Sequence, residues 1–530
     1  MLCFILIFFI RLFIYIGFEI LFKMTDTYNE EFADRVAQLS NSKFMSLGKT
    51  GKPKEHTEWT LLACILQLEK GNMHVVSLGT GSKCIGASQL SGAGDILHDS
   101  HAEVVARRAF VLYLIEQVDR AVKGQESLFQ EEKGKYVIRE GVTFHFYVSH
   151  TPCGDASIFP KQEWDEYYGD CLKTSFTQHH NTQITQKDVC DTHPVTFEQD
   201  PDSLIEAHED SNEFEQPAKK LKKNSITSTS TAVTYIHQSK CEEESPSESC
   251  LLAVTEKSNG KSKKNPVTIN KSDHPANQDI HRTGAKTVGG EQEDPRLPGA
   301  DYHVTGALRT KPGRGDPTLS MSCSDKIFKW TVLGVQGALL MLFLKSPVYF
   351  ETITIGKCPY SQEAMLRALF SRFENKLKNV QLPEGFRVVT PHLLSSSIGF
   401  PFSRDSVTCL SPNPSKVMPS PTCLIWSNTS THQGKHEVAT NGRKHGITKK
   451  AIGTPKSWVS VCCKSLLLKI KDIAHNDDQS NISNQVDFTN HDYGTIKALA
   501  SSYCQAWKEL RTNVLDNWTV KPSFVKTFKA

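Results

Sequence analysis

Apolar periodicity in this chain comes in three blocks separated by long polar tracts, and that interruption limits the possible folds more than any other feature. The blocks run over about 58–164, 302–402 and 457–530. The tracts lie at about 174–299 and 403–451 and are built of Ser, Thr, Asn, Gln, Pro and charged residues. Such composition buries too little apolar surface to offset chain entropy, so both tracts are expected to be disordered inserts within one domain over 58–528. The 38% hydrophobic fraction then reads as an ordinary core diluted by inserts. The chain shows no Gly-X-Y period, long heptad repeat or series of apolar spans, which excludes a collagen, a coiled coil and a polytopic membrane protein.

Lys plus Arg number 61 against 58 for Asp plus Glu, a net +3, so a polybasic protein is excluded while a local basic groove is not. Fifteen scattered cysteines, an odd count, point to a reducing compartment, hence nucleus or cytoplasm. The run Lys219-Lys220-Leu221-Lys222-Lys223 is either a nuclear import signal or a solvated linker charge. Residues 1–23 contradict the soluble picture. Leu2 to Phe22 hold about sixteen Leu, Ile and Phe residues, at roughly −5 to −10 kcal/mol for insertion against roughly +3 for Arg11. That segment is either a membrane anchor or lies upstream of a working start at Met24; the second reading is preferred, with 24–57 as a lead-in.

Secondary structure reads as strands alternating with helices, an α/β architecture. Strands are expected at His74–Leu78, Val142–Val148 and Phe350–Ile355. Helices are expected from His101, capped by Asp99 or Ser100, and over Asp325–Leu344 and Ser361–Phe373.

The chemistry sits at helix starts. His101-Ala102-Glu103 opens one helix, and Pro152-Cys153-Gly154-Asp155 follows a strand and opens another. A zinc deaminase needs a His and two thiolates as ligands, with a Glu beside the ligating His to move protons. Zinc lowers the pKa of its water to ~7. The usual P-C-x-x-C is absent, because position 156 is Ala156. A third ligand must come from elsewhere, and Cys323, just before a strong helix, has the same placement as Cys153. On spacing alone, an ordinary His and a buried thiol remain the alternative.

The motifs His101-Ala102-Glu103, Pro152-Cys153-Gly154-Asp155 and Ser322-Cys323-Ser324-Asp325-Lys326 resemble the adenosine deaminases that act on RNA. Glu58-Trp59-Thr60-Leu61-Leu62-Ala63, Lys311-Pro312-Gly313-Arg314-Gly315-Asp316 and the stretch from Gly356 to Met365 resemble the eukaryotic, tRNA-acting branch of that family. The resemblance implies a cytidine-deaminase-like three-layer α/β/α core with a C-terminal helical extension. It implies one Zn²⁺ on His101, Cys153 and Cys323, with Glu103 as proton shuttle. The implied reaction converts adenosine to inosine just 3′ of the anticodon in alanine tRNA, with no stable protein partner and no membrane unless residues 2–22 are real.

The resemblance further implies one buried inositol hexakisphosphate. Its expected ligands are Arg107, Arg108, Lys326, Lys329, Trp330, Lys464, Lys497, Tyr503, Trp518 and Lys521. Without the resemblance, these cations read as solvated helix faces. His98, Lys329 and Trp507 depart from the family's Asn, Arg and Lys. Ser82 and Lys83 resemble the loop lining the nucleotide pocket, and Arg282 to Lys286 the loop that helps extrude the base. Two rivals remain. An editor of double-stranded RNA should carry extra RNA-binding domains, and an RNA-binding scaffold should carry a closed four-ligand zinc site.

Overall fold

A computed structural model describes residues 28–161, 279–313, 315–477 and 486–530. The hydrophobic segment 1–23, the tract 174–278 with its basic run, and Arg314 lie outside the described residues. Among the described residues no helix is long and apolar enough to cross a membrane.

The elements that position the site are, in chain order, α1 (Glu30–Ser46), β1 (Leu62–Glu69), β2 (Asn72–Thr80), β3 (Ser82–Cys84), β4 (Asp99–His101), α2 (Ala102–Val122) and β5 (Val142–Val148). They continue with α3 (Cys323–Leu333), β6 (Thr352–Ile355), α4 (Gln362–Leu369), β7 (His392–Ser395), β8 (Thr422–Ser427), β9 (Glu437–Thr440) and β10 (Arg443–Lys444). The C-terminal block supplies α5 (Cys463–Asn476), α6 (Tyr493–Ala498) and α7 (Ser501–Asn513). The α/β reading holds: one eight-stranded mixed sheet has the order β7-β6-β5-β1-β2-β8-β9-β10. Strands β5, β6 and β7 run parallel, and the remaining neighbours pair antiparallel.

Period-two alternation sends side chains of β1 to opposite faces. Ala63 and Ile65 join α2 residues Val105, Ala106 and Ala109 in one core cluster. Leu62, Cys64 and Leu66 meet Val36, Ala37 and Phe44 of α1 in another, so the lead-in contributes a core helix. Helix α2 crosses β1, β2 and β8. Its approach depends on Gly79, where a Cβ would stand 2.4 Å from Ala106 N and 2.7 Å from Ala102 O.

Several expectations are corrected. The tract at 403–451 is not a disordered insert: it forms a helix at Arg404–Leu410 and strands β8, β9 and β10. β8 pairs with β2 inside the central sheet, and Leu424 and Ile425 are fully buried. Averaging over the whole tract hid one dense apolar run, Cys423-Leu424-Ile425-Trp426, among Ser, Pro and Thr. The far end of the first tract is also built into the fold. Ile280–His281 pairs with Phe159–Pro160, and Lys286–Thr287 with Arg309–Thr310. The helix expected to reach Leu344 stops at Leu333, because Gly334 takes φ 73° and ends it. The helix expected over Ser361–Phe373 is α4, with Ser361 as its N-cap, followed by a 3-10 turn at Ser371–Phe373.

Gly79→Ala should force α2 off the sheet. Overpacking of this kind costs about 1–3 kcal/mol, read as a lowered urea midpoint with unchanged m-value.

Candidate active site

His101 ends β4 and is the N-cap position of α2, making no side-chain capping bond. The two expected caps, Asp99 and Ser100, are strand residues, and Asp99 has a different task, described below. Glu103 lies on the first turn of α2 and is 4% exposed. Cys153 follows β5 in a loop that makes only a 3-10 turn at Asp155–Ser157, not the expected helix. Cys323 is the first residue of α3, capped by Ser322, whose side chain accepts from Asp325 N.

Two loops bring the thiols together. Cys323 N donates to Cys153 Sγ at 3.4 Å, and Ser324 N donates to the Cys153 carbonyl at 3.1 Å. Asp155 N returns a bond to Ser324 Oγ at 3.1 Å. His101 Nδ1 then lies 3.8 Å from Cys153 Sγ and 3.7 Å from Cys323 Sγ. Tetrahedral zinc, with Zn–N of ~2.0–2.1 Å and Zn–S of ~2.3 Å, would place nitrogen and sulfur about 3.6 Å apart, so the donor set fits. The Cys323 thiol bonds to Cys153 and, with the His101 and Lys311 charges, holds the Cys153 thiol well below its usual range against burial. A thiolate is the form a metal requires. Glu103 Oε2 is buried with no hydrogen-bond partner, an orphaned acceptor beside the three ligands. Asp99, Cys84 and His101 also cluster, but Asp99 is engaged by two lysines, which leaves the His-Cys-Cys group as the metal set.

Each ligand has a buried aspartate two residues away, and each aspartate is tied to a cation from a distant segment. Asp99 takes Lys311 Nζ at 2.8 Å and Lys326 Nζ, and its Oδ1 accepts from His101 N at 3.0 Å. Asp155 takes Arg367 of α4 at 2.9 Å. Asp325 takes Arg372 at 2.6 Å and also accepts from Arg309 N. Burial alone would raise the Asp99 carboxyl, and Lys311 and Lys326 outweigh it, leaving it well below the carboxylate range. The sequence reading missed these roles for Asp99, Lys311, Arg367 and Arg372. Their one legible signal is an Asp at a fixed two-residue offset from each ligand; the cationic partners are invisible until the chain folds.

A cavity of about 370 Å³ opens onto His101 and Cys153. Ser82 and Lys83 line it, with Ser82 paired to His101 across β3 and β4. Gly284 and Ala285 form another wall, so the middle of the Arg282–Lys286 loop reaches the cavity. Arg282 itself packs on Tyr302, 4.0 Å from the ring centroid, and pairs with Asp279. Asn441 and Gly442, from the tract expected to be disordered, also line the cavity.

The expected polyanion ligands divide. Arg107 donates to Val335 O and Arg108 to Val461 O. Lys329 stands over Trp507 at 3.8 Å and Trp518 at 5.3 Å. Lys497 faces Tyr493 at 5.2 Å, and Lys521 donates to His98 Nδ1 at 3.2 Å. Tyr503 sits close enough to Arg107 to influence its ionisation. Burial, then the charges of Lys497, Arg107, Lys326 and Lys526, drives Lys329 well below its usual range. Burial and Lys326 likewise lower Lys521 to about 8. Lys526 thus belongs near the cluster, which the sequence reading missed. The Lys464 amino group donates to the Lys529 carbonyl. Trp330 packs in the apolar core, edge-on to Phe146. Among the described residues no carboxylate forms an ion pair with Arg107, Arg108, Lys329, Lys497 or Lys521.

Comparison with known proteins reaches the same class from the other side. Residues 77–522 match the adenosine-deaminase (editase) domain, and the chain belongs to that family. It is 37% identical to mouse tRNA-specific adenosine deaminase 1 over 524 residues, covering 94% of this chain and 99% of that protein. Identity to the Drosophila melanogaster tRNA-specific adenosine deaminase 1 is 30%, covering 92% and 94%. Mouse double-stranded RNA-specific adenosine deaminase matches at 27% over 64% of this chain and 21% of its own length.

Removing Lys311 should expose the coupling. Lys311→Met is expected to cost about 3 kcal/mol in urea unfolding, the low end for a broken buried pair, because Lys326 remains on Asp99. Lys311→Met with Asp99→Leu should cost less than the two singles together. Additive costs would refute the pairing.

Proposed function

We propose that this protein hydrolyses the 6-amino group of adenosine in tRNA, leaving inosine and ammonia. The observation that carries this reading is the His101, Cys153 and Cys323 donor set with the unpartnered Glu103 carboxylate beside it. The tRNA-specific relatives, matched over nearly their whole length, favour tRNA over double-stranded RNA. The finer target, the adenosine just 3′ of the anticodon in alanine tRNA, rests on the family resemblance. A base in a single-stranded loop is already partly unstacked, which lowers the cost of extrusion. The arrangement of α1 and α2 against different core clusters supports a cytidine-deaminase-like three-layer core with a helical extension over α5 to α7. The thiol ligands require reduction, in keeping with nucleus or cytoplasm.

His101, Cys153 and Cys323 would hold the zinc, which supplies Lewis acidity and brings a coordinated water's pKa toward neutral. The cavity walls at Ser82, Lys83 and Asn441 confine the adenine. Glu103 takes a proton from the attacking water as oxygen adds at C6 and delivers it to ring N1; it then takes the remaining proton from the new C6 hydroxyl and passes it to the amino group, which leaves as ammonia as the C6 carbonyl forms. Burial keeps bulk water from competing for that proton. Glu103→Ala should lower inosine formation in alanine tRNA by at least the ~10²–10⁴-fold typical of a lost general acid–base, with zinc content and thermal stability retained. Full activity in this variant would sink the assignment. Equal tRNA binding without inosine from the wild type would favour the scaffold.

The cluster of Arg107, Arg108, Lys326, Lys329, Lys497 and Lys521 would hold inositol hexakisphosphate, with Tyr503 and Trp518 at its edge. Cations that depress one another's protonation are what a bound polyanion would relieve. The sign follows from Lys521. Its folded value of about 8 lies below the ordinary lysine value, so the free protein gains stability as pH rises from about 8 toward 10.5. A polyanion restores the charged form. Binding near pH 8.5 should therefore take up protons, visible as a dependence of the calorimetric heat on buffer ionisation enthalpy. Heat independent of buffer would count against this site.

A further inference from the structure

Between Glu437 and Asp472 the sequence contains no acidic residue, while Arg443, Lys444, Lys449, Lys450, Lys456, Lys464, Lys469 and Lys471 all carry positive charge. Two of these are engaged. Arg443 pairs with Asp95 at 2.7 Å, and Lys464 is held by the Lys529 carbonyl. Lys444, Lys449, Lys450 and Lys456 are exposed. Among the described residues none of these four forms an ion pair.

The backbone places Lys444 beside the cavity wall, paired with the lining residue Ala439, and packs the segment carrying the other three lysines onto the strand of Lys444. The Asn441–Gly442 turn joins β9 to β10 and forms part of the cavity wall, as do Ser82 and Lys83. Leu97 N donates to Gly442 O at 2.9 Å, which pins the turn to the segment leading into β4. Lys444 therefore stands two residues from the wall. The chain then folds through short 3-10 turns at Lys449–Ala451 and Pro455–Ser457, the second packed against β10. Hydrogen bonds Ala451 N to Thr448 O, Thr454 N to Ala451 O and Ser457 N to Thr454 O tie these turns together, and Ser457 is fully buried. The lysines are thus presented from a folded, anchored ridge.

We propose that Lys444, Lys449, Lys450 and Lys456 form a phosphate-binding rim over which the RNA substrate enters the cavity. The inference rests on an RNA substrate and adds where its backbone runs. A nucleotide that inserts its base beside His101 leaves phosphates at the cavity mouth on both sides. A ridge of one charge sign there binds them whatever the base sequence. Lysine suits this task because it acts as a point charge and does not demand a fixed planar geometry.

The test uses the full chain and alanine tRNA, with dissociation constants measured across roughly 50 to 200 mM salt and inosine formation measured separately. For Lys449→Gln with Lys450→Gln, the slope of log affinity against log salt should shrink by about 1.4–1.8, at ~0.7–0.9 per phosphate contact. KM should rise by roughly tenfold at low salt, with kcat unchanged. The control pair Lys123→Gln with Lys133→Gln, also exposed, should leave the slope as in the wild type. An unchanged slope in the first variant, or an equal drop in the control, overturns the rim and leaves the ridge to an acidic protein partner or to bulk charge. Wild-type protein that binds tRNA but forms no inosine overturns the proposed reaction instead, while the binding slopes still decide the rim.

Discussion

The site depends on burying three aspartates, each two residues from one metal ligand. Asp99, Asp155 and Asp325 are each gripped by a cation supplied from elsewhere in the chain. A buried carboxylate left unpaired would cost several kcal/mol, so each ligand loop can close only when its partner has arrived. Lys311, Lys326 and Arg367 thereby join the second apolar block to the ligands His101 and Cys153 of the first, while Arg372 fixes the Cys323 loop within the second block. Such pairs add little net stability over apolar packing, and their use here is to select one arrangement of three loops.

Lys326 gives that framework a second reach. Its amino group sits on Asp99, beside the His101 backbone, while its charge also bears on Lys329 and Lys521 in the cationic cluster. The metal set and the proposed polyanion site are therefore electrostatically continuous through Asp99 and Lys326. α6 and the segment after α7 bring Lys497 close enough to Arg107 of α2 and Lys329 of α3, and Lys521 close enough to Lys326 and Arg108, for their charges to interact, and set the Trp518 ring beside Lys329.

Legibility followed the range of the interactions involved. Strand Val142–Val148 and helix α2 were readable because their apolar period is local and unbroken. The end of α3 was misplaced: apolar residues continue through Leu344, but Gly334 turns the backbone at φ 73°. β8 was hidden by its neighbours, since a short buried strand in a Ser- and Pro-rich tract leaves little trace in the average. By sequence Asp99 or Ser100 reads as the helix cap, the usual use of Asp or Ser before an apolar helix. In the structure, Lys311 and Lys326 compete for that carboxylate and win.

The sequence by itself determined the chemistry: a His, two Cys and a Glu, each at the start of a helix or just after a strand, with the family's motifs around them. Residue identity and short spacing decide which atoms can bind a metal or move a proton, and both are local properties. Only the tertiary structure decided that Cys153 and Cys323 meet His101, that Lys464 is held by the Lys529 carbonyl while Lys526 bears on the cluster, and that a tract rich in Ser and Pro lines the cavity. Those outcomes depend on pairing charges and burying apolar surface between residues hundreds of positions apart, which no local pattern encodes.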